Sequence, residues 1–180
     1  MTHKIVTERL RLRNWRESDL PVWAAMNADP EVREHLGRLL TPDEAAASMT
    51  AFQDDLDRNG FGFWAVEVHS TGEFIGFTGL DRVDEGMPFH GVEIGWRLAR
   101  SAWGHGYATE AARAVLAYGF DTVELPEILA VTARTNLRSQ AVMHRIGMTT
   151  DATDDFDDPE PDSPELRRQV LYRRRRDQRD

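Results

Sequence analysis

The chain has 180 residues, 41% of them hydrophobic, which is enough for one globular domain with a buried core and requires no second domain. It contains no cysteine, which excludes a disulfide framework and covalent catalysis through a thiol. The formal net charge of −9 disfavours binding to nucleic acid or anionic membranes and favours cationic partners, and with no long apolar run or export segment we expect a cytoplasmic protein.

The N-terminal segment predicts a half-buried strand. Leu10 and Leu12 alternate with arginines within residues 9–15, so the two leucines should face a core. The arginines that should then face water are Arg9, Arg11 and Arg13.

Two helices and a β-hairpin are expected next. A short helix should begin near Ser18, and a longer one should follow Thr41, which can cap it. Pro42 suits the first turn of that helix and Glu44 completes a capping box. Residues 70–73 have hairpin-turn chemistry. The hairpin strands are assigned to 63–68 and 74–80, and the buried stripe of the helix to Ala45, Met49, Phe52 and Leu56.

The second half predicts a strand, a helix and a parallel strand. Residues 92–98 should continue the antiparallel meander, and a helix should run from the glycine-rich segment to about Phe120. Because a helix lies in the connection, we expect 92–98 and 128–134 to be parallel neighbours joined by a right-handed crossover. The remaining elements are a helix at 137–146 and weaker strands near 148–153 and 167–174.

The C-terminal part carries charges of both signs. Residues 154–165 are predicted to be an acidic, proline-rich loop that does not pack, and 174–180 a basic tail of a single domain spanning 1–180. We expect the two segments to lie near each other in solvent. An RNA-contacting tail is the less favoured alternative, and nucleic-acid binding is considered unlikely.

The segment Trp103-Gly104-His105-Gly106-Tyr107-Ala108-Thr109-Glu110 is the most informative motif. Gly104 and Gly106 let the backbone approach a ligand closely, and the helix that follows presents its first N–H groups to an anion. A tight strand-to-helix turn without a ligand is the alternative interpretation. A strand that leads directly into such a helix suits a cofactor that carries a pyrophosphate.

A second motif lies downstream. Asn136 can cap a short helix that ends at Gly147, with Ser139 in its first turn. Together the two motifs resemble the GNAT superfamily of acyl-CoA-dependent N-acetyltransferases. Residues 7–13 and 93–96 are similar to the RimJ/RimL-type branch, and the resemblance extends from residue 7 to about 173.

The resemblance implies an α+β GNAT fold. Its central sheet would have six to seven mostly antiparallel strands with one parallel, splayed pair, flanked by about four helices. It also implies acetyl-CoA as co-substrate and direct transfer of the acetyl group to a primary amine, with no metal. A catalytically silent acyl-CoA-binding or regulatory module is the alternative function.

The resemblance also assigns cofactor-binding residues. Backbone amides of His105 to Thr109 would hold the pyrophosphate, and amides around Trp96 to Leu98 would pair with the pantetheine arm and supply an oxyanion donor. Asn136 would anchor that arm, although a simple helix cap is an alternative compatible with this role. The cofactor-binding set is Trp96, Arg97, Leu98, Gly104, His105, Gly106, Tyr107, Ala108, Thr109, Asn136 and Ser139.

Two residues are candidates for proton transfer. Many family members carry a tyrosine where this chain has Met143, which leaves Ser139 as the candidate acid for the departing thiolate. Glu93 is the candidate base, on the opposite face of its strand from Trp96. The alternatives are that Ser139 only bonds the first helical turn and that Glu93 forms a structural salt bridge. Glu110 should turn away from bound phosphates.

The acceptor cannot be identified from the sequence. In this fold the acceptor pocket would be built from residues 20–40 and the loops at 82–90 and 154–165, whose charged residues suit a cationic amine or a peptide N-terminus. The partners expected are therefore acetyl-CoA and a small-molecule or protein N-terminal amine, with the protein a monomer or homodimer and no membrane association.

Overall fold

A computed structural model describes residues 4–178, which form a nine-stranded mixed sheet covered by helices. Six of the seven predicted strands and the long predicted helices occur within a residue or two of their expected bounds. The strands are β1 (Ile5–Val6), β2 (Leu10–Arg13), β3 (Phe63–Val68), β4 (Phe74–Arg82), β5 (Val92–Leu98), β6 (Glu127–Ala133), β7 (Thr149–Thr150), β8 (Phe156–Asp157) and β9 (Arg168–Arg175). The helices are α1 (Leu20–Asn27), α2 (Pro30–Arg33), α3 (Pro42–Asn59), α4 (Tyr107–Asp121) and α5 (Leu137–Arg145).

The strand order confirms the expected fold class. The sheet runs β1-β2-β3-β4-β5-β6-β9-β7, and β8 also pairs with β9. The β5–β6 pair is parallel and the other pairs in the described chain are antiparallel. Six strands are longer than two residues, which matches the expected size of the sheet, and the short β1, β7 and β8 extend it.

The first long strand differs from its prediction at one position. Leu10 and Leu12 are fully buried, as expected, but Arg13 is only 5% exposed and does not face water. Its guanidinium contacts the carboxylates of Asp19 and Glu67, each at 2.7 Å. Two close carboxylates make the burial of this cation tolerable, which an alternation of leucine and arginine cannot indicate.

The helix α3 begins and ends as its sequence predicts. The Thr41 hydroxyl accepts a hydrogen bond from the Glu44 amide at 3.2 Å, and the Glu44 carboxylate accepts one from the Thr41 amide at 2.8 Å. Gly60 ends the helix with a φ of 75°, a conformation that favours glycine. The apolar stripe of α3 packs on β3. There Phe52 contacts the aromatic rings of Trp15 and Phe77.

The parallel pair at the centre of the sheet opens into a cleft. Strands β5 and β6 are registered only at Glu93 and Leu129, near the beginning of each strand. Beyond this point the two strands diverge, and α4 begins shortly after β5 ends. The C-terminal half of β5 therefore borders a gap, as the splayed pair of the expected fold requires.

The acidic segment packs more than predicted. Phe156, in β8, contacts the ring of Phe89 with centroids 5.3 Å apart, and the Arg38 amide donates to the Asp162 carboxylate at 3.3 Å. An aromatic side chain and a backbone donor thus fix a segment whose composition suggested a solvated loop.

The basic segment also differs from its prediction as a tail. Arg174 and Arg175 belong to β9, residues 176–178 form a 3-10 turn, and 179–180 lie outside the described residues, as do 1–3. Arg173 in the same strand pairs with Asp154 at 2.7 Å. Between residues 4 and 178, none of the helices is sufficiently long and apolar to cross a membrane.

Candidate active site

A cavity of about 810 Å³ lies in the gap beside β5. One wall is the C-terminal half of β5 with the start of α4, and another is the first half of α5. Residues around α2 form the wall opposite, and His35 Nδ1 reaches the Thr135 hydroxyl at 3.3 Å. The cavity is lined by Glu8, Arg9, Glu31, Val32, His35, Leu36, Trp96, Arg97, Leu98, Ala102, Trp103, Gly104, Gly106, Tyr107, Ala108, Thr109, Glu110, Arg113, Asn136, Arg138, Ser139, Ala141, Val142 and Arg145.

The glycine-rich segment forms an open turn at the start of α4. Gly104 and Gly106 have φ values of 80° and 78°, in the region that favours glycine. A Cβ atom at Gly104 would meet no atom within 4 Å, so the backbone there faces open space. Gly106 precedes Tyr107, the first residue of α4, and no side chain caps this end of the helix. The first amides of α4 are therefore available to an anionic ligand.

His105 is the one predicted cofactor-binding residue that does not line the cavity. Its ring stacks on the ring of Tyr107, with centroids 5.4 Å apart, and its carbonyl oxygen accepts a hydrogen bond from Arg9 Nη1 at 2.9 Å. His105 therefore helps to fix the shape of the glycine turn through its backbone carbonyl.

Glu110 is directed to the N-terminal strand. One carboxylate oxygen accepts hydrogen bonds from the Thr7 hydroxyl and the Arg9 amide, at 2.6 and 2.9 Å, and the other accepts from Arg9 Nε at 2.6 Å. Burial alone would raise the pKa of Glu110, but these hydrogen bonds outweigh it and the pKa is lowered. Its charge is thus neutralised locally. The repulsion between Glu110 and a bound phosphate, which we expected from the sequence, is therefore removed.

The predicted pantetheine-binding residues line the cavity along the diverging edge of β5. Trp96, Arg97 and Leu98 lie beyond the single registered pair of β5 and β6. Their backbone groups on that side can therefore pair with an extended ligand as they would with a strand.

Asn136 and Ser139 lie on the wall that the start of α5 forms. The Asn136 side-chain oxygen accepts from the Ser139 amide at 3.1 Å, and its side-chain nitrogen donates to the Thr132 hydroxyl at 3.0 Å. Asn136 is thus a helix cap with one amide hydrogen left for a ligand. The Ser139 hydroxyl has no hydrogen-bond partner within residues 4–178, so the alternative in which it bonds the helical turn is not observed.

Glu93 is placed apart from this wall. It does not line the cavity, and the structure does not bring it together with Ser139. Burial, followed by the charges of Asp81 and Asp84, raises its pKa to about 7. In the part of the chain that is described, no cation lies within salt-bridge distance of Glu93, so the structural ion pair considered from the sequence is not observed.

Sequence reasoning missed four arginines that line the cavity. Arg138 stacks over the ring of Trp103 at 4.6 Å, and Arg113 donates to the Arg145 carbonyl at 2.9 Å. Arg9 reaches the same cavity from the residue before β2. The one available signal was that Arg113 lies about two helical turns after Gly106, on the helix that opens the site. These cations add to the suitability of the cavity for phosphate groups.

Among residues 4–178, no group of three or more His, Asp or Glu side chains is arranged so that it could hold a metal ion.

Comparisons with known proteins agree with this geometry. The acetyltransferase (GNAT) domain family matches residues 9–149. An uncharacterized protein of Bacillus subtilis (strain 168), YkkB, is 34% identical over 147 residues, covering 81% of this chain and 84% of its own length. The FsC-acetyl coenzyme A-N(2)-transacetylase of Aspergillus fumigatus is 33% identical over 76% of this chain, which spans 61% of that longer protein.

A solved structure shares the fold. The ribosomal L7/L12 alpha-N-protein acetyltransferase RimL, in complex with coenzyme A, has a TM-score of 0.78, with 96% of this chain and 98% of that chain covered. Its sequence is 16% identical, so the likeness concerns the arrangement of helices and strands.

Proposed function

This chain belongs to the GNAT acetyltransferase family and is an acetyl-CoA-dependent N-acetyltransferase, and from that premise we propose that it transfers the acetyl group directly to a primary amine in a ternary complex. The observation that carries the proposal is the cavity between β5 and α5, which is lined by both the open glycine turn and Ser139. The acceptor would be a small-molecule amine or a protein N-terminus.

The glycine turn would hold the pyrophosphate. Amides from His105 to Thr109 would converge on the phosphate at the start of α4, because the partial positive charge of the helix N-terminus favours an anion there. Open space at Gly104 supports this role, because a phosphate oxygen needs close access to the backbone. The neighbouring Arg113 and Arg138 line the same cavity and would add charge-assisted hydrogen bonds.

The edge of β5 would position the thioester. Amides of Trp96 to Leu98 can pair with the pantetheine arm, and one of them can donate to the oxyanion that forms when the amine adds to the thioester carbonyl. Asn136, across the gap, can donate its remaining amide hydrogen to the same arm.

Ser139 would act as the acid. When the tetrahedral intermediate collapses, the carbon–sulfur bond breaks and the thiolate needs a proton, which the unengaged Ser139 hydroxyl can donate. Its exposure to the cavity and its lack of a partner among the described residues support this role.

Glu93 would accept the proton that the amine loses. A carboxyl with a pKa of about 7 is suited to this exchange at neutral pH. Because Glu93 lies outside the cavity lining, the transfer would require a water molecule between the amine and the carboxylate. An amine that is already neutral would need no base, so Glu93 matters most for acceptors with a high pKa.

The experiment that tests the function is coenzyme A release. Purified protein is mixed with acetyl-CoA and a panel of small amines and N-terminal peptides, and free thiol and N-acetyl product are measured together. We expect stoichiometric thiol and product for at least one amine. Binding of acetyl-CoA without turnover across the panel would contradict the proposed function.

A further inference from the structure

Asn27, the last residue of α1, lies between two arginines. Its side-chain oxygen accepts a hydrogen bond from Arg97 Nη1 at 2.7 Å and one from Arg33 Nη1 at 3.3 Å. Its side-chain nitrogen donates to the Trp23 carbonyl at 2.8 Å, which fixes the orientation of the amide. A fully buried neutral group thus joins two guanidinium groups.

Neither guanidinium has an anionic partner within the described part of the chain. No carboxylate lies within salt-bridge distance of Arg97 or Arg33 there, and the Nε atom of each is buried without a hydrogen bond. Arg33 is only 8% exposed. Asp162 and Glu44 act on it from a distance, but both already bond Arg38, through its amide and its guanidinium respectively.

Among the described residues, the two guanidinium groups lack a negative charge that would compensate theirs. Burial and the neighbouring Arg33 lower the pKa of Arg97 to about 9, and burial lowers the pKa of Arg33 as well. The rings of Trp23 and Phe77 lie 5.2 and 5.4 Å from the Arg97 guanidinium, which offsets part of the cost of burying the charge. A second cation nearby adds repulsion, so an anion bound here would be strongly favoured.

The pair is next to the proposed reaction centre. Arg97 lines the cavity and is adjacent in sequence to Trp96 and Leu98, whose amides would hold the thioester. Its side chain projects to the opposite face of the sheet from theirs, where it contacts Phe77 across the β4–β5 pair. Arg33 is the last residue of α2. Val32 and His35, which are close to it in sequence, also line the cavity.

We propose that Arg97, supported by Arg33, binds an anionic group of the acceptor, so that the substrate is a primary amine that also carries a carboxylate or a phosphate. The inference rests on the proposed function. A guanidinium recognises both oxyanions through paired N–H donors. Arg97 would therefore be a specificity-determining residue that orients the amine of the acceptor toward the thioester.

The test compares pairs of acceptors in which one member carries an anionic group that the other lacks. Glycine, aspartate and phenylalanine are each assayed against their carboxamides, and phosphoethanolamine against ethanolamine, by coenzyme A release at saturating acetyl-CoA. The wild type should favour the anionic member of a productive pair by about 10- to 100-fold in kcat/KM. Preference for carboxylates over the phosphate, or the reverse, identifies which oxyanion the site takes. Equal rates within every pair would overturn the inference.

Variants assign the preference to Arg97. Arg97→Gln keeps a donor for Asn27 but removes the charge, and should reduce the preference to nearly 1. Arg97→Lys keeps the charge and should restore part of the preference. Arg58→Gln, which removes an exposed cation far along α3, is the matched control and should retain the full preference. A preference that survives in Arg97→Gln contradicts the inference.

A binding measurement separates this inference from the proposed function. The melting temperature of the coenzyme A complex is measured with each anionic amine, for the wild type and for Arg97→Gln. A rise that depends on Arg97 supports the inference even if no amine is acetylated, in which case only the proposed function fails. Identical shifts in both proteins, or loss of acetyl-CoA binding in Arg97→Gln, would overturn the inference whatever the turnover assay shows.

Discussion

Arg9 Nε lies 2.6 Å from a carboxylate oxygen of Glu110, so the turn between β1 and β2 is fixed to the first turn of α4, which borders the active-site cavity. The same guanidinium donates to the His105 carbonyl at 2.9 Å. One side chain therefore holds both the glycine turn and the helix start in position. This contact joins residues 101 positions apart in the chain.

Breaking this ion pair should weaken both cofactor binding and stability. Glu110→Gln keeps an acceptor oxygen but loses the charge, and because Arg9 is about half exposed we expect a loss of about 1 kcal/mol in unfolding free energy. The dissociation constant of acetyl-CoA should rise several-fold, because the turn loses its support. Calorimetry and urea unfolding measure the two effects. Asp55→Asn, which breaks an exposed pair in α3, is the control and should leave acetyl-CoA affinity unchanged.

Gly104→Ala tests the phosphate-binding turn. Gly104 and Gly72 both have positive φ, at 80° and 71°, and a Cβ atom at either would meet no atom within 4 Å. Both alanine variants should therefore lose about 1–2 kcal/mol of stability from backbone strain alone. Only Gly104→Ala should also weaken acetyl-CoA binding, by at least tenfold, because its methyl group would occupy space that the phosphate needs. Equal affinity in the two variants would contradict the assignment of the turn.

Ser139→Ala should lower the rate of acetyl transfer without lowering acetyl-CoA affinity. Loss of a general acid typically reduces kcat by about 10²- to 10⁴-fold. The helix should remain intact, because the Asn136 cap bonds the backbone amide of Ser139 and not its hydroxyl. Ser70→Ala, in an exposed turn, is the matched control for a serine hydroxyl. An unchanged kcat in Ser139→Ala would show that the thiolate leaves unassisted or is protonated by water.

Glu93 should make stability depend on pH. Its carboxyl titrates at about 7 in the folded protein, against an ordinary value of 4.5. The folded state thus binds more protons between these values, so the stability contributed by protonated Glu93 is complete below pH 4.5 and is lost as the pH rises through about 7. Glu93→Gln should remove this loss, and its advantage over the wild type should grow by about 2 kcal/mol between pH 5 and pH 8. Urea unfolding at both pH values measures it, and a constant difference would contradict the assigned pKa.

Local sequence patterns were sufficient to predict most of the helices and strands. Strands 63–68 and 92–98 were predicted at their observed bounds because apolar residues and nearby turn residues both mark them. Thr41 and Glu44 marked the start of α3 because a capping box involves only four consecutive positions. Gly104 and Gly106 marked the active-site turn for a similar reason, since their positive φ values are a local property.

Contacts between distant segments could not be predicted in this way. Arg13 was expected in water, and its burial depends on Glu67 in another strand. The arrangement of Arg97 with Asn27 joins β5 to the end of α1, and the two residues are 70 positions apart in the chain. The proposed acceptor side consequently carries buried positive charge, although the net charge of −9 suggested cationic partners. A net charge describes the whole surface, whereas recognition depends on the few groups within reach of the ligand.

The divergence of β5 from β6 after Glu93 has a consequence for how the protein behaves in a crowded cell. Strands with free hydrogen-bonding edges at the border of a sheet readily recruit other chains and promote aggregation. Here the free edge of β5 lies between two walls of a cleft, bordered by α4 and α5. An edge inside a cleft is less accessible to a second polypeptide strand than an edge at the border of a sheet, so the chain keeps an edge for ligand recognition with less exposure to self-association.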